Sequence, residues 1–198
     1  MGRRQKGLNF NRRRRSLELE NLQDNIRFAI SIVIAILIAG FIVFSWGIKT
    51  NVIGPGMEPA FYSGQTVYLS KLSYLFKKPK AGDVVAFLPN GNENTHLYIK
   101  RVVAVPGDSV QIIDGRLYIN YEEYSGSVDY DKIADPGMAE EEILLEADQY
   151  FVLGDNINTS EDSRSGNIGP ISKRNIEGKV WFRLTQNDSR FGIVRRKR

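Results

Sequence analysis

An uncharged stretch of 21 residues, 28–48, constrains the fold of this chain more than any other feature of its sequence. It reads FAISIVIAILIAGFIVFSWGI and is flanked by Arg27 and Lys49. A helix of that length spans about 31 Å, which matches the hydrocarbon core of a bilayer at about 30 Å. The stretch is longer than the apolar region of a cleaved signal peptide, about 7–15 residues, and residues 45–49 form a poor cleavage site. We therefore predict an uncleaved transmembrane helix.

The net positive charge of the chain comes from its two ends. Of the formal net charge of +4, residues 1–20 contribute +5 and residues 195–198 contribute +4, so the remainder is acidic at −5. A nucleic-acid partner needs a basic face on the folded part, so we predict none. The basic tail, residues 1–27, precedes the apolar stretch. The positive-inside rule then predicts a cytoplasmic tail and places residues 49–198 outside the cell membrane.

The reactive residue types available to this chain are few. It contains no cysteine and a single histidine, His96. The absence of cysteine excludes a disulfide, a thiolate nucleophile and a Cys-ligated metal. One histidine excludes a multi-His zinc site and makes a Ser-His-Asp triad improbable. We predict no metal and no cofactor, with His96 exposed in a polar loop. Acid-base chemistry is then limited to Lys, Asp, Glu and Tyr.

The chain beyond the apolar stretch is patterned as β-structure. Short apolar runs rich in β-branched residues alternate with Gly, Pro, Asn and Asp, and Asp114-Gly115 predicts a two-residue hairpin. Helical patterning is limited to a short turn at 172–176. We predict a mainly antiparallel β domain over residues 49–198, in which 121–149 form loops and short strands without obvious chemistry. The predicted strands are 66–69, 83–87, 98–105, 109–113, 116–119, 150–153 and 178–184.

The segment 98–108 carries two adjacent cations, Lys100 and Arg101. Successive side chains of a strand point to opposite faces, so one of the two must face the apolar interior. A buried lysine loses solvation, its pKa falls, and it can act as a neutral base, whereas arginine stays charged. The alternative is a half-buried Lys100 paired with a carboxylate, and the strand by itself favours that alternative.

Two further segments combine polar and turn-forming residues. Residues 54–59, Gly-Pro-Gly-Met-Glu-Pro, form a constrained turn soon after the apolar stretch. Residues 154–166 form a polar loop in which Asp162 and Arg164 can pair. Taken alone, this second loop favours a structural role, because Gly and Asn are common in tight turns.

Together these segments resemble the type I signal peptidases, and the resemblance covers nearly the whole chain. The membrane span is followed in order by a Gly-x-Ser-Met-x-Pro-like loop, Gly-Asp-Val, Lys-Arg-Val-x-x-x-Pro-Gly-Asp, and Gly-Asp-Asn with Ser-x-Asp-Ser-Arg. Five matches in one order are much more specific than any single motif. The resemblance implies membrane-bound serine endopeptidases that release signal peptides from secreted proteins at the outer membrane face. Such enzymes use a Ser-Lys dyad, a triad variant that needs no histidine.

The resemblance also assigns residues to positions in the family's site. Lys100 matches the general base, and Ser160 matches the hydroxyl that orients this lysine. Asp162 and Arg164 match the supporting ion pair.

The nucleophile position departs from the family pattern. Met57 and Pro59 match the residues that flank the nucleophile, but Gly56 stands where the family has serine. A second departure is Ile157, which replaces the usual arginine and affects a loop contact at most. Acyl transfer needs an oxygen or sulfur nucleophile, and glycine offers only a backbone amide. A turn that requires positive φ is the simplest alternative reason for Gly56.

Two functions remain open at this point. The first is a non-cleaving pseudoenzyme that binds extended segments of secreted or surface-protein precursors. It resembles the family's relatives in Gram-positive pilus assembly, whose partners are pilins and the sortase machinery. The second is an active signal peptidase. The absence of a serine at Gly56 favours the first, although Lys100 then has no catalytic reason to persist. Cleavage of a signal peptide by the chain as given and by Gly56→Ser distinguishes them.

Overall fold

A computed structural model of the chain describes residues 10–46, 48–126, 128–130, 132–184 and 192–194. The predicted basic tail is described only from residue 10 onward, as helix backbone, and the basic C-terminal residues 195–198 lie outside the described residues. The chain divides into two compact units, with the boundary between Phe44 and Ser45.

The first unit is built on a single α-helix, α1, over Phe10–Trp46. Within it, Gln23–Ile42 has a mean hydropathy of 2.3 and is long and apolar enough to cross a membrane. This stretch shares residues 28–42 with the predicted span. The helix ends at Trp46 and Ile48 already lies in a strand, so the predicted span of 28–48 runs beyond the end of the helix.

The second unit is a β domain of twelve described strands, and every pairing between them is antiparallel. The prediction of a mainly antiparallel β fold is thus confirmed. All seven predicted strands are present, and the five that were not predicted have only two to four residues, too few for alternation to be visible. The strands are β1 Ile48–Asn51, β2 Thr66–Ser70, β3 Val84–Phe87, β4 Tyr98–Ala104, β5 Ser109–Ile113, β6 Arg116–Ile119, β7 Glu122–Glu123, β8 Ile143–Leu144, β9 Gln149–Leu153, β10 Ile171–Ser172, β11 Ile176–Arg183 and β12 Gly192–Ile193.

The larger sheet has the order β1-β2-β11-β3-β4-β9-β10, with β12 paired to β11. Its central strands are buried on both faces. On β9, Tyr150 and Val152 pack in one hydrophobic cluster, while Phe151 and Leu153 pack in another. Alternating side chains therefore reach two separate parts of the core, which explains why β9 reads as an apolar run.

The smaller sheet has the order β7-β6-β5-β8. The hairpin between β5 and β6 turns at Asp114 and Gly115, with φ of 50° and 78°. Positive φ at both residues is the geometry that matches the twist of a tight hairpin, as the sequence predicted. The segment 121–149 also supplies core: Tyr130 and Ile133 are buried in the cluster that contains Phe151. The predicted short turn is present as a 3₁₀ helix over Lys173–Asn175.

Candidate active site

The strand β4 buries both of its adjacent cations. Lys100 is 7% exposed and Arg101 is 5% exposed. The alternation of the strand predicted that one of the two faces the apolar interior, and the structure buries both. The reason is that other parts of the chain pack on both faces of β4. The cluster beside the smaller sheet covers Val103 on one face, and the loop of Gly56 lies against Lys100 on the other. A strand covered on both faces has no solvent side on which to place the second cation.

Lys100 lies directly beside residue 56. A Cβ atom built on Gly56 would be 3.0 Å from Lys100 Nζ, 3.1 Å from Ser160 Cα and 3.2 Å from Ser160 Cβ. The structure thus brings together three of the predicted site residues. A side chain at position 56 would need its neighbours to move by only a few tenths of an ångström, and the nearest of them is the flexible end of a lysine.

The backbone at Gly56 does not require glycine. The positive-φ glycines include Gly54, at 78°, and Gly107, at 90°, but Gly56 is not among them. An L-residue such as serine can adopt the conformation found at Gly56, because strain arises only in the left-handed region. The explanation that a tight turn demands glycine at this position is therefore wrong.

The loop that carries Gly56 is held by backbone contacts to the segment after β9. Asn156 N–H donates to the Gly56 carbonyl at 3.0 Å. Gly154 lies so close that a Cβ atom at residue 154 would overlap the Gly56 carbonyl oxygen and Ser160 Oγ. Here glycine is required by space, since the two loops touch through their backbones.

The environment of Lys100 favours its neutral form. Burial lowers the pKa of Lys100, and the negative charges of Asp162 and Glu161 only partly oppose that shift. Within the described residues, the ammonium group makes no ion pair or hydrogen bond. The alternative of a half-buried lysine paired with a carboxylate is therefore wrong. A lysine with these properties can act as a general base nearer to neutral pH than an exposed one.

The Ser160 hydroxyl is buried and has no hydrogen-bond partner among the described residues. A buried hydroxyl without a partner costs free energy, so its persistence calls for a reason. Ser160 Cβ is 3.2 Å from the Cβ position of residue 56. The hydroxyl therefore belongs to the same small space as Lys100 Nζ.

Asp162 and Arg164 form the predicted ion pair. Arg164 Nε donates to Asp162 Oδ1 at 2.9 Å, with side-chain exposures of 8% and 0%. Asp162 Oδ2 also accepts from Gly154 N–H at 3.1 Å. Arg164 further donates to the carbonyl oxygens of Ile157 at 2.5 Å and Ser160 at 3.2 Å. The pair thus fixes the loop that carries Ser160, without contacting Gly56 directly.

A second buried ion pair was not predicted from the sequence. Arg101 Nε donates to Asp155 Oδ1 at 2.7 Å and Arg101 Nη2 donates to Asp155 Oδ2 at 2.5 Å. Burial alone would lower the pKa of Arg101, but the hydrogen bond and charge of Asp155 raise it. The pair joins β4 to the Gly-Asp-Asn motif. Arg101 and Asp155 both lie in motifs that the sequence analysis identified. Their opposite charges were the only signal from which this pair could have been predicted.

The remaining predicted residues differ in their burial. Met57 is 2% exposed and packs in the cluster of Val52 and Phe61, whereas Pro59 is exposed. Ile157, at the position where the family has arginine, is 7% exposed within the core beside the smaller sheet. His96 is exposed, as predicted, and stacks on Tyr98. Within the described part of the chain, no group of three His, Cys, Asp or Glu side chains could hold a metal ion.

Comparison with known proteins identifies the family. The family described as "Signal peptidase, peptidase S26" matches residues 25–185. Signal peptidase IB of Staphylococcus aureus is 32% identical over 183 residues, covering 85% of this chain and 91% of that protein. Signal peptidase I of Bacillus licheniformis is 30% identical over 169 residues, covering 77% of this chain and 82% of that protein.

Among solved structures, a signal peptidase I from Enterococcus faecalis V583 is 28% identical. It aligns with 52% of this chain and 97% of its own, with a TM-score of 0.41. The matched residues 25–185 include every residue of the site described above. This chain belongs to the signal peptidase family, peptidase S26.

Proposed function

We propose that this chain is a non-cleaving member of the signal peptidase I family that binds signal peptides and other extended segments of precursors. One observation carries the proposal. Lys100 Nζ lies 3.0 Å from the point where a side chain of residue 56 would begin, and glycine supplies no hydroxyl there. The general base is in position and the group that it would deprotonate is missing.

Neighbouring hydroxyls are poor substitutes for the missing nucleophile. Ser160 Oγ is buried, so a peptide carbonyl has no open approach to it. Ser63 Oγ already accepts a hydrogen bond from Gly54 N–H at 3.2 Å, and Ser63 lies seven residues after Gly56 in the chain. In subtilisin, loss of the nucleophile reduces turnover by about 10⁶. We therefore expect cleavage by this chain to be negligible.

Peptide binding does not depend on the missing hydroxyl. The loop is still anchored by buried Met57 and by the hydrogen bond from Asn156 to the Gly56 carbonyl. The Gly56 N–H donates no hydrogen bond to any described residue, so it is available to a carbonyl oxygen of a bound peptide. Extended segments commonly bind through such backbone groups, and pockets for alternate side chains give selectivity.

The proposal includes the membrane topology that the charge pattern predicts. The apolar stretch anchors the protein in the cell membrane, the basic residues 1–27 face the cytoplasm, and residues 49–198 form an extracytoplasmic domain. A domain on that side meets precursors as they emerge from the membrane. Surface subunits such as pilins, handled together with sortases, are the clients that the family resemblance suggests.

An active signal peptidase is the second candidate, and it too is favoured by a specific observation. Lys100, Ser160, Asp162 and Arg164 are all retained, and Lys100 remains unpaired among the described residues. Relatives from two genera are named signal peptidases. In this case a water molecule in the space beside Gly56 would have to replace the serine as nucleophile.

A cleavage assay separates the two candidates. The full chain, Gly56→Ser, Gly56→Ala and the double variant Gly56→Ser with Lys100→Met are each reconstituted with a signal-peptide substrate. We expect cleavage by Gly56→Ser alone, at least about 10³-fold above the other three, since the nucleophile carries most of the rate. Gly56→Ala adds the same Cβ atom without the hydroxyl and controls for packing. The single variant Lys100→Met is assayed beside the unaltered chain, and cleavage by the unaltered chain that this variant abolishes would refute the proposal.

A binding assay tests the retained function directly. The dissociation constant of a fluorescent signal peptide is measured for the unaltered chain and for Gly56→Ala. We expect saturable binding by the unaltered chain and competition by an unlabelled copy of the peptide, whereas a scrambled peptide of equal composition should not compete. Absence of saturable binding, in a chain whose folding is verified by circular dichroism, would show that recognition has been lost as well.

A further inference from the structure

The smaller sheet has one buried face and one open face. Val110 and Leu117 on its inner face are buried in the core. Strand alternation places Gln111 and Ile113 of β5 and Tyr118 of β6 on the opposite, outer face, where Gln111 and Tyr118 are paired across the two strands. A cavity of about 240 Å³ lies on this face, and we call it the outer cavity. It is lined by Ser109, Gln111, Ile113, Tyr118, Tyr121 and Glu142.

One wall of the outer cavity has an unfavourable backbone conformation. The hairpin between β6 and β7 turns at Asn120 and Tyr121, with φ of 52° and 66°. Asparagine tolerates positive φ, but a bulky residue rarely adopts it, and glycine is the usual second residue of such a turn. Tyr121 is 78% exposed, so burial in the core does not offset the strain. A strained residue that the core does not require indicates a role in binding.

The side chain of Tyr121 is fixed at the cavity through its hydroxyl. Tyr121 Oη forms hydrogen bonds with the Glu142 carboxylate and with Ser109. The hydrogen bond to Glu142, followed by the negative charge of Glu142, raises the pKa of Tyr121, so the phenol keeps its proton and donates to this carboxylate. Because the ring is already held in place, binding of a ligand beside it orders few additional groups.

The outer cavity and its surroundings are negatively charged. Glu142 is the only charged residue in the lining, and it makes no ion pair with any described residue. Arg116, a cation on the same face of the sheet, is neutralised by Glu123 at 2.9 Å. Residues 109–148, which contain all four strands of the smaller sheet, include eleven acidic and two basic residues, a net charge of −9. The cavity therefore attracts cations and repels anions.

The residue types of the lining match an alkylammonium group. Two tyrosines line the cavity, and aromatic rings attract organic cations through their electron-rich faces. The Glu142 carboxylate and the Gln111 amide oxygen can accept hydrogen bonds from an ammonium group. Ile113, 45% exposed, offers an apolar contact to methyl or methylene groups. The volume is below the range of about 300–1,000 Å³ for drug-sized ligands, so it suits one side chain or one small ion.

We propose that the outer cavity binds an alkylammonium group between Tyr118 and Tyr121, with Glu142 as its counter-ion. A lysine side chain of a polypeptide and a quaternary amine such as choline both carry this chemistry. The cavity shares no residue with the site around Lys100 and Gly56. Its ligand binding is therefore independent of the proposed function, and either proposal can fail without the other.

Paired charged and neutral ligands test this proposal. The full chain in nonionic detergent is titrated with lysine blocked at its backbone amine and carboxyl group, and with choline. Equally blocked norleucine and dimethylbutanol, the carbon isostere of choline, are the matched neutral ligands. NMR signals of each ligand give its dissociation constant. We expect both cations to bind, neither neutral ligand to bind measurably, and raised salt to weaken the binding of the cations.

Two variants with matched controls locate the bound cation. Glu142→Gln should weaken binding by about fivefold, the effect of one exposed ion pair. Glu141→Gln is its control, since Glu141 is exposed next to Glu142 but does not line the cavity.

Tyr121→Gly should weaken binding by about two- to fivefold, because it removes one aromatic ring. Its thermal unfolding midpoint should stay the same or rise, because glycine adopts positive φ without strain. Weaker binding by a variant of equal or higher stability cannot be attributed to misfolding.

Three outcomes would overturn the inference. Equal binding of charged and neutral ligands would show an apolar crevice that does not recognise charge. Cation binding that neither Glu142→Gln nor Tyr121→Gly weakens would place the ligand elsewhere on the acidic surface. Absence of binding by both cations would refute the site outright. If the proposal holds, the tighter of the two cations identifies a lysine side chain or a quaternary amine as the preferred ligand.

Discussion

Gly154 lies against Gly56 so closely that a Cβ atom at residue 154 would overlap the Gly56 carbonyl oxygen and the Ser160 hydroxyl. The loop after β9 and the loop that carries residue 56 therefore meet backbone to backbone. This contact determines where residue 56 stands relative to Lys100. Glycine at 154 is thus a requirement of close approach, whereas glycine at 56 is not.

Gly154→Ala should destabilise the domain by about 1–3 kcal/mol, because the added methyl group forces the two loops apart. Gly166→Ala is the matched control, since a Cβ atom there would meet nothing within 4 Å, and its effect should stay within about 0.5 kcal/mol. Chemical unfolding of the full chain in detergent, followed by fluorescence, measures both. Equal stabilities of the two variants would contradict the close contact.

Removal of Asp162 should be far more damaging than removal of an exposed acid. The Asp162–Arg164 pair has side-chain exposures of 0% and 8%, whereas Glu123 and Arg116 are 54% and 63% exposed. Breaking a buried pair leaves an uncompensated charge and costs about 3–5 kcal/mol. Glu123→Ala should cost at most about 1 kcal/mol, as expected for a surface pair. Similar unfolding free energies for Asp162→Ala and Glu123→Ala would show that the buried pair contributes little to stability.

The stability of the unaltered chain should rise with pH relative to that of Lys100→Met. Burial lowers the pKa of Lys100 in the folded state from its ordinary value of 10.5. At a pH between the folded-state pKa and 10.5, Lys100 is protonated in more of the unfolded chains than of the folded ones. Raising the pH over this range therefore favours the folded state. Lys100→Met removes this dependence and, below the folded pKa, should increase stability. Thermal unfolding across the pH range measures the difference, and parallel curves would mean that Lys100 is not buried as described.

The cleavage rate of Gly56→Ser should also rise with pH. The serine needs the neutral amine of Lys100, and the neutral fraction increases about tenfold per pH unit below the pKa. Because burial lowers that pKa, the rise should level off below 10.5. The pH dependence of kcat/KM gives this profile. A rate independent of pH would indicate that another group activates the serine.

Ser160→Ala should leave the stability of the unaltered chain the same or higher, but should reduce cleavage by Gly56→Ser. In the unaltered chain, the Ser160 hydroxyl is buried without a partner among the described residues, so its removal should be neutral or stabilising. In Gly56→Ser the same substitution should reduce cleavage and move the pH profile, if this hydroxyl orients Lys100. Unfolding free energy and kcat/KM profiles are the two measurements. An unchanged profile would assign Ser160 a packing role alone.

Much of the site was predicted from motifs whose spacing along the chain is fixed. Lys100, Ser160, Asp162 and Arg164 were all predicted from the sequence. The structure brings Lys100 and Ser160 beside residue 56 and pairs Asp162 with Arg164. The Arg101–Asp155 pair was missed because each partner was assigned to a separate motif. A contact between β4 and the loop after β9 depends on which strands are neighbours, and strand order cannot be read from local alternation.

The sequence by itself determined the apolar stretch, the antiparallel β class, the family motifs and the absence of a hydroxyl at residue 56. These follow from composition and from periodicities set by the backbone. Only the tertiary structure decided that both cations of β4 are buried, since this required packing against both faces of the strand. It also decided that the φ of Gly56 is not positive and that a Cβ atom built on Gly56 would lie 3.0 Å from Lys100 Nζ. Such distances arise from loops that are far apart in the chain, where pairing between strands brings them together.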